Sequence, residues 1–227
     1  MTDRQAIVIG AGSGLGRSLA LRFAQEGHDV ALLARNEQRL AALADEVRAT
    51  GRRATVVPCD ASDLDQVHAA VAGIAAYGPI GVLAYNASVF GERLVDTDLD
   101  TLQRATNVNV LAPVAAVQAA RENLQTTGGT VLLTGGGLAL RPSAAWGLLS
   151  LGKTGLRTVA RLLADDLAPH GVRVRTLIVA GVIEPGTRFD PDRIAAAFWD
   201  LHADPGDEVE RVFTGADDGP EPTGVAG

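Results

Sequence analysis

A glycine-rich turn near the start of the chain has residues of the type and spacing that bind a diphosphate. The turn reads GAGSGLG from Gly10 to Gly16, a short apolar run precedes it, and a helix-like segment follows it. Glycines let a backbone approach an anion closely, and the amino terminus of the next helix presents unpaired N–H groups. The glycines fit the spacing GxxxGxG and not GxGxxG, because the sixth residue of the turn is Leu15. The residues that we predict to form this dinucleotide site are Gly10, Ser13, Gly14, Leu15 and Gly16.

The end of the second predicted strand indicates which dinucleotide binds. In such sites an acidic side chain at this position recognises the ribose 2′-hydroxyl of NAD, whereas the 2′-phosphate of NADP requires a positive charge. Here the strand ends in Ala34, Arg35 and Asn36, without an acid. A guanidinium is well suited to a phosphate, so Arg35 predicts NADP(H) in preference to NAD(H). The alternative is that Arg35 only faces solvent at the start of a helix.

A single lysine, Lys153, stands among nineteen arginines and is the third feature with evident chemistry. It lies on a predicted helix, four residues after Leu149. A lysine on an apolar helix can simply extend its head group to water. The motifs around it instead favour a position beneath the ribose of a bound cofactor.

The elements that must position these residues alternate between strand-like and helix-like segments. The predicted strands cover residues 6–9, 30–34, 54–58, 81–85, 130–134, 172–179 and 209–213. The predicted helices cover residues 17–26, 36–50, 62–76, 99–125, 144–167 and 191–202, with Asn36 and Ser62 as caps and a bend near Pro113. This alternation predicts an α/β fold, a Rossmann-type doubly wound parallel sheet of about seven strands. We expect one domain over residues 1–213 and a flexible tail over 214–227.

Composition excludes several other classes of function. The net charge of −7 and the absence of a basic cluster disfavour nucleic acid and anionic membranes as partners. The single cysteine, Cys59, cannot form an internal disulfide and fits a reducing compartment. No signal peptide and no apolar stretch long enough to cross a membrane is visible, so we expect a cytoplasmic protein. No two histidines have metal-ligand spacing, and we predict no metal site.

The chain resembles the short-chain dehydrogenase/reductase family along nearly its whole length. Besides the glycine turn, Pro58-Cys59-Asp60-Ala61 is similar to the family segment whose aspartate binds adenine, which is here Asp60. Tyr85-Asn86-Ala87-Ser88 is similar to the family's NNAG motif and retains its second asparagine as Asn86. Asn109 matches the asparagine of the catalytic tetrad, and Gly181 and Ile183 match the segment that holds the nicotinamide. The resemblance thus implies that Asp60, Ala61, Asn86, Lys153, Gly181 and Ile183 contact the cofactor, and that Lys153 and Asn109 are catalytic.

Several positions depart from the family pattern, and they all concern the reaction. Counting back from Lys153, the family's proton-donating tyrosine is Leu149 and its serine is Gly136. The proline before Gly181 is Ala180, and Pro185 stands in place of a threonine, for which Thr187 is a possible substitute. Without the tyrosine, a proton must come from water relayed through Lys153 and Asn109, or from a nearby hydroxyl. Ser150 is expected to face away, and Thr134 to be buried.

Three hypotheses for function follow. The first is an NADP(H)-dependent oxidoreductase acting on an unknown carbonyl or alcohol with a non-standard proton donor. The second is a catalytically silent cofactor-binding sensor or partner subunit, and the third is a non-redox enzyme on the same fold. The glycine turn supports all three, whereas Leu149 and Gly136 weigh against the first. The resemblance also implies a homodimer or homotetramer.

Overall fold

Seven parallel strands form one sheet in the order β3-β2-β1-β4-β5-β6-β7. The computed structural model describes residues 4–91 and 93–216. The strands are β1 Gln5–Ile9, β2 Asp29–Ala34, β3 Ala54–Pro58, β4 Ile80–Tyr85, β5 Thr130–Gly136, β6 Arg173–Val179 and β7 Glu210–Phe213. Almost every residue of the inner strands is buried, which explains why they are continuous apolar runs rather than alternating patterns.

Helices cover both faces of this sheet. They are α1 Leu15–Gln25, α2 Glu37–Ala49, α3 Leu64–Tyr77, α4 Leu99–Thr106, α5 Ala112–Thr127, α6 Gly147–Leu167 and α7 Pro191–Ala203. Helices α1, α2 and α7 pack on one face, and α3, α5 and α6 on the other, each set with its own apolar core. The predicted doubly wound α/β fold is confirmed. No helix among the residues described is both long and apolar enough to cross a membrane.

The chain direction across the sheet reverses between β1 and β4. Strands β2 and β3 lie to one side of β1, while β4 to β7 lie to the other. In sheets of this kind a crevice opens outside the carboxyl ends of the strands at the reversal, and ligands bind there. The turn after β1 and the segment after β4 therefore lie at the crevice.

Helix α3 begins one residue later than predicted. Its cap is Asp63, whose side chain accepts a hydrogen bond from the amide of Gln66. Ser62, the predicted cap, instead donates its hydroxyl to Oδ1 of Asp60 at 3.0 Å. The prediction was wrong because two cap-forming residues are adjacent and only Asp63 reaches the first turn. The other predicted cap, Asn36, is confirmed by its hydrogen bond from Arg39.

The long helix predicted over residues 99–125 is interrupted. A π-helical turn, Asn107–Leu111, separates α4 from α5 and lies just before Pro113. Proline has no N–H to donate to the carbonyl of Asn109, so the α-helical hydrogen-bond pattern cannot continue through this point. The hydroxyl of Tyr85 donates to the carbonyl of Val108 at 2.5 Å and satisfies one carbonyl of the widened turn.

The chain stays packed beyond β7. Gly215 is buried with φ of +71°, and a Cβ there would lie 2.6 Å from the carbonyl oxygen of Arg188. The start of the predicted tail is thus part of the packed structure, and residues 217–227 lie outside the described residues.

Candidate active site

A cavity of about 1430 Å³ opens at the carboxyl ends of the central strands. Its volume exceeds the ~300–1,000 Å³ typical of a pocket for one small ligand, so it can hold a dinucleotide together with a substrate. Most of the residues predicted to contact a cofactor line it: Gly10, Gly14, Leu15, Gly16, Arg35, Asp60, Ala61, Asn86, Lys153, Gly181 and Ile183. Ser13 is exposed at the tip of the turn and does not line the cavity.

The glycine turn places free backbone amides at the amino terminus of α1. The amides of Gly10 and Ala11 donate to the carbonyl of Leu33, which ties the start of the turn to β2. Within the part of the chain that the structure describes, the amides of Ser13 to Gly16 have no hydrogen-bond partner. Unpaired amides at a helix amino terminus form an anion site, so the turn fits a diphosphate.

Two positions of this turn must be glycine because other backbone atoms lie too close to allow a side chain. Gly10 has φ of +87°, and a Cβ there would lie 2.5 Å from the amide nitrogen of Ala87. A Cβ on Gly16 would lie 2.1 Å from the carbonyl oxygen of Gly10. Any side chain at either position would push the turn away from β4 or from α1. The GxxxGxG spacing therefore reflects packing of the backbone as well as space for a ligand.

The end of the cavity that lies next to β2 and β3 has one cation and one carboxylate. Arg35 is exposed at the end of β2 and has no hydrogen bond or ion pair with any other described residue. Asp60 follows β3, and its Oδ1 accepts hydrogen bonds from the amide and hydroxyl of Ser62. Asp60 is the only carboxylate among the described residues that line the cavity. Its Oδ2 remains available to a ligand, and Arg35 remains available to an anion.

Asn86 connects three strands at the centre of the crevice. Its Nδ2 donates to the carbonyl of Gly10 at 3.2 Å, and its Oδ1 accepts the hydroxyl proton of Thr134 at 3.0 Å. Asn86 thus fixes the ends of β1, β4 and β5 relative to one another. Thr134 is buried, as predicted, and its hydroxyl proton is already engaged.

Lys153 lies on the cavity wall, and no carboxylate among the described residues pairs with it. Its Nζ donates to the carbonyl oxygen of Thr134 at 2.9 Å. The residue is half-buried, and burial around its ammonium group lowers the pKa of Lys153 to about 8. Among the described residues, burial is the cause of this shift. The lysine can therefore exchange a proton near neutral pH.

The positions of the missing tyrosine and serine also lie on this wall. Leu149, one helical turn before Lys153, is 8% exposed and lines the cavity. A Cβ on Gly136 would lie 3.4–3.5 Å from the Cγ, Cδ and Cε atoms of Lys153. A Cβ would therefore fit in ordinary contact with the lysine stem, at the position where the family that the sequence resembles has a serine.

Asn109 does not line the cavity. It is buried, its Oδ1 accepts from the amide of Val89 at 2.8 Å, and its Nδ2 donates to the carbonyl of Val89 at 3.1 Å. The hydroxyl of Ser88 also donates to Oδ1 of Asn109. Its side chain thus holds the segment after β4, and the catalytic role predicted for it can act only through the backbone or by positioning.

Two candidate hydroxyl groups have other partners. Ser150 is buried, and its hydroxyl bonds the backbone of Ser143, facing away from the cavity as predicted. Thr187, suggested as a substitute for the missing threonine, donates to the carbonyl of Glu184 and does not line the cavity. That suggestion is wrong because the segment after β6 folds into a turn closed by this hydrogen bond.

Apolar and basic residues complete the cavity wall, and several of them were missed in the sequence. Phe90, Leu140, Trp146 and Val182 line it and are at least 40% exposed. Arg104 and Arg141 also line it. Phe90, two residues after the Tyr85-Asn86-Ala87-Ser88 segment, is a large apolar residue in a loop and is a signal that could have indicated a binding wall. Among the described residues no group of three or more His, Cys, Asp or Glu side chains could hold a metal.

Comparison with known proteins gives consistent matches over most of the chain. The sequence model of the family described as short chain dehydrogenase matches residues 4–191. An uncharacterized oxidoreductase of Mycobacterium tuberculosis is 34% identical over 191 residues, which cover 81% of this chain and 71% of that protein. An A-factor type gamma-butyrolactone 1′-reductase of Streptomyces virginiae is 33% identical over 200 residues, which cover 82% and 72%.

Solved structures agree with the fold over nearly the full length. A short chain dehydrogenase from Burkholderia cenocepacia, in complex with NADP, has a TM-score of 0.85 and 30% identity, with 94% of this chain and 97% of that chain covered. A metagenomic short-chain oxidoreductase, also in complex with NADP, has a TM-score of 0.84 and 28% identity, with 93% and 97% covered.

Proposed function

The chain belongs to the short-chain dehydrogenase family, and from this premise we propose that it is an NADP(H)-dependent oxidoreductase of carbonyl compounds or alcohols. Its proton donor differs from the family's tyrosine. The observation that carries the proposal is the arrangement of Arg35 and the free amides of the glycine turn on one cavity wall. The Arg35 guanidinium suits a 2′-phosphate, and the amides of the turn suit a diphosphate.

The residues present fit this cofactor along the length of the crevice. The turn amides would hold the diphosphate, Oδ2 of Asp60 the adenine, and Arg35 the 2′-phosphate. Lys153, Gly181 and Ile183 would hold the nicotinamide riboside, because they line the far end of the cavity. Two solved relatives of similar fold contain NADP, which supports the same choice here.

A bound nicotinamide cofactor supplies hydride transfer, and the protein's part is to position the reactants and manage the proton. Asn86 fixes the strand ends, Asn109 holds the segment that carries Val89 and Phe90, and Lys153 provides the cation nearest the missing tyrosine. The apolar wall of Phe90, Leu140, Trp146 and Val182 favours a substrate with an apolar body.

A second function is favoured by Leu149 and Gly136. Neither residue can donate a proton, and both lie on the cavity wall. A protein that binds NADP(H) without turnover, as a sensor or partner subunit, would need the turn and Arg35 but no donor. A non-redox reaction with the cofactor unconsumed is the third possibility, with Leu149 shaping the pocket.

Consumption of NADPH separates these functions. The purified chain should be mixed with NADPH and a panel of ketones, aldehydes, quinones and cyclic diketones, and absorbance at the nicotinamide band followed. We expect oxidation with at least one apolar carbonyl compound. Tight binding of NADPH without oxidation by any member of the panel would favour the silent binder or the non-redox enzyme.

We also propose that the chain forms homodimers or homotetramers in the cytoplasm. The family is commonly oligomeric, and the exposed leucines of α6, Leu151 and Leu162, with Leu111 before α5, support a contact between subunits. The lone reduced Cys59 fits a reducing compartment. Light scattering of the purified protein measures the mass directly, and a monomer would contradict the first part.

A further inference from the structure

The reduction of a carbonyl requires a proton at the oxygen where charge develops. When hydride adds to the carbonyl carbon, the oxygen becomes an alkoxide, and a general acid nearby accelerates the step by ~10²–10⁴-fold. Leu149 and Gly136 offer no such acid, since one is a hydrocarbon and the other has no side chain. The proton must therefore come from another group on the cavity wall or from water held by such a group.

Few described residues on this wall can give up a proton near neutral pH. The ionisable side chains that line the cavity are Arg35, Cys59, Asp60, Arg104, Arg141 and Lys153. The arginines are too basic to release a proton. Cys59 is buried beside Asp60 at the adenosine end, and burial raises its pKa to about 11. The hydroxyl groups of Thr134 and Ser88 already donate to Asn86 and Asn109.

The ammonium group of Lys153 has N–H donors that no described residue uses. An ammonium group carries three N–H donors, and the hydrogen bond to the carbonyl of Thr134 uses one. Positions 149 and 153 are neighbours on one face of α6, so the lysine head lies close to the place where the family's tyrosine would project. A Cβ at position 136 would lie in ordinary contact with the Cγ, Cδ and Cε atoms of the lysine, so glycine there leaves this side of the lysine stem uncovered.

We propose that Lys153 is itself the acid of this site, replacing both the tyrosine and the serine of related enzymes. The assignment rests on the proposed oxidoreductase function. In reduction, hydride from C4 of NADPH forms the new C–H bond, and the carbonyl oxygen takes a proton from Nζ of Lys153. The products are an alcohol, NADP⁺ and a neutral amine, which water then protonates again. In oxidation the neutral amine accepts the hydroxyl proton.

The electrostatics of the wall suit this task. Burial lowers the pKa of Lys153 to about 8, and its Nζ lies on the cavity wall against the carbonyl of Thr134. A general acid works best when its pKa lies near the working pH. The rate of reduction should therefore fall as the pH rises above about 8, because Lys153 then loses its proton, and the rate of oxidation should rise.

Because Lys153 is the only lysine, its titration can be observed without interference. Lysine labelled with ¹³C at Cε gives one side-chain resonance, and its shift against pH reports the Lys153 pKa in the full chain with NADP(H) bound. The pH at which kcat for reduction declines should coincide with that value. If the two differ by more than about one pH unit, Lys153 does not supply the proton.

Substitution separates proton donation from cofactor binding. Lys153→Arg keeps a cation that can contact the ribose but cannot release a proton. We expect kcat to fall by ~10²–10⁴-fold with a much smaller change in the NADPH dissociation constant. Lys153→Ala should regain activity when methylamine or ethylamine is added, and its melting temperature and NADPH binding show whether it remains folded.

These experiments distinguish a failure of the proposed oxidoreductase function from a failure of Lys153 as the acid. If the wild-type chain binds NADPH but oxidises it with no carbonyl compound, the proposed function fails and this assignment fails with it. If the wild type is active and Lys153→Arg keeps more than about a tenth of its kcat, only the assignment of the acid is overturned.

Discussion

The Asn109 side chain lies against Gly152, so that a Cβ on Gly152 would be 2.6 Å from its Cβ and Nδ2 atoms. Helix α6 thus meets the π-helical turn at a position where only glycine fits. The same asparagine accepts and donates hydrogen bonds at Val89. Lys153 is the next residue on α6, so this contact sets the position of the lysine relative to the segment after β4.

Gly152→Ala should change the position of Lys153 and of the segment after β4. The new methyl group must displace either Asn109 or α6, which weakens the bonds to Val89 and shifts Lys153. We expect a loss of stability of ~1–3 kcal/mol and lower activity, measured by urea unfolding and by NADPH oxidation. Gly73→Ala on α3 is the matched control, because its Cβ meets nothing within 4 Å. It should stabilise by ~0.5–1 kcal/mol, and equal effects of both substitutions would contradict the packing argument.

Tyr85→Phe removes the hydroxyl that satisfies a carbonyl of the π-helical turn. The carbonyl of Val108 would then be buried without its partner, at a cost of ~1–3 kcal/mol. We expect a lower midpoint in urea unfolding. Tyr77→Phe, on a side chain that is 91% exposed, should change the midpoint little. A Tyr85→Phe protein as stable as the wild type would show that the turn does not depend on this bond.

Acid should destabilise the protein through His202. Burial, followed by the nearby His28, Arg173, Arg175 and Arg4, lowers the pKa of His202 to about 4. In the unfolded chain this histidine has a pKa near 6.5, so it binds a proton in a pH range where the folded form stays neutral. The free energy of unfolding therefore falls as the pH drops from about 6.5 to 4. The loss is at most about 3 kcal/mol.

Urea unfolding at several pH values checks this dependence. His202→Phe keeps a ring beside Phe23 and Trp199 and should make the profile less steep below pH 6.5, where His28, whose pKa burial also lowers, still contributes a slope. His68→Gln, at an exposed position on α3, should leave it unchanged. A slope as steep in His202→Phe as in the wild type would place the responsible group elsewhere.

Restoring the family's donor tests whether the pocket is otherwise complete. Leu149→Tyr places a phenol one turn before Lys153, and Gly136→Ser fits because its Cβ would lie at ordinary contact distance from the lysine stem. We expect the single substitution to raise kcat for an active ketone by ~10–10³-fold, and the double substitution at least as much. NADPH dissociation constants should stay within a few-fold. Unchanged kcat in both would mean that the substrate carbonyl does not lie at this wall.

The parallel sheet and most of the residues that line the crevice were predictable because each depends on local patterns. Buried strands are apolar runs, and the glycine turn between β1 and α1 identifies the crevice. Arg35, Asp60 and Asn86 each follow a strand that ends at the same edge, so their position on one wall follows from a parallel sheet.

Contacts between distant segments were not predictable in the same way. The π-helical turn depends on Pro113, on the hydroxyl of Tyr85 and on the side chain of Asn109 together. Likewise, the choice of Asp63 over Ser62 as a cap depends on which side chain reaches Gln66. Such features depend on packing between residues that are far apart in the sequence. The spacing of apolar residues along the chain does not indicate this packing.

Calorimetric titration of the nucleotide-free chain with NADPH and with NADH measures whether Arg35 selects the cofactor that carries the 2′-phosphate. We expect NADPH to bind at least about tenfold more tightly, because hydrogen bonds to a charged group contribute ~1.5–3 kcal/mol. Arg35→Asp should reverse the order, and Arg121→Asp, on the exposed side of α5, should not. Equal or tighter binding of NADH by the wild type, or no heat with either nucleotide, would contradict the account.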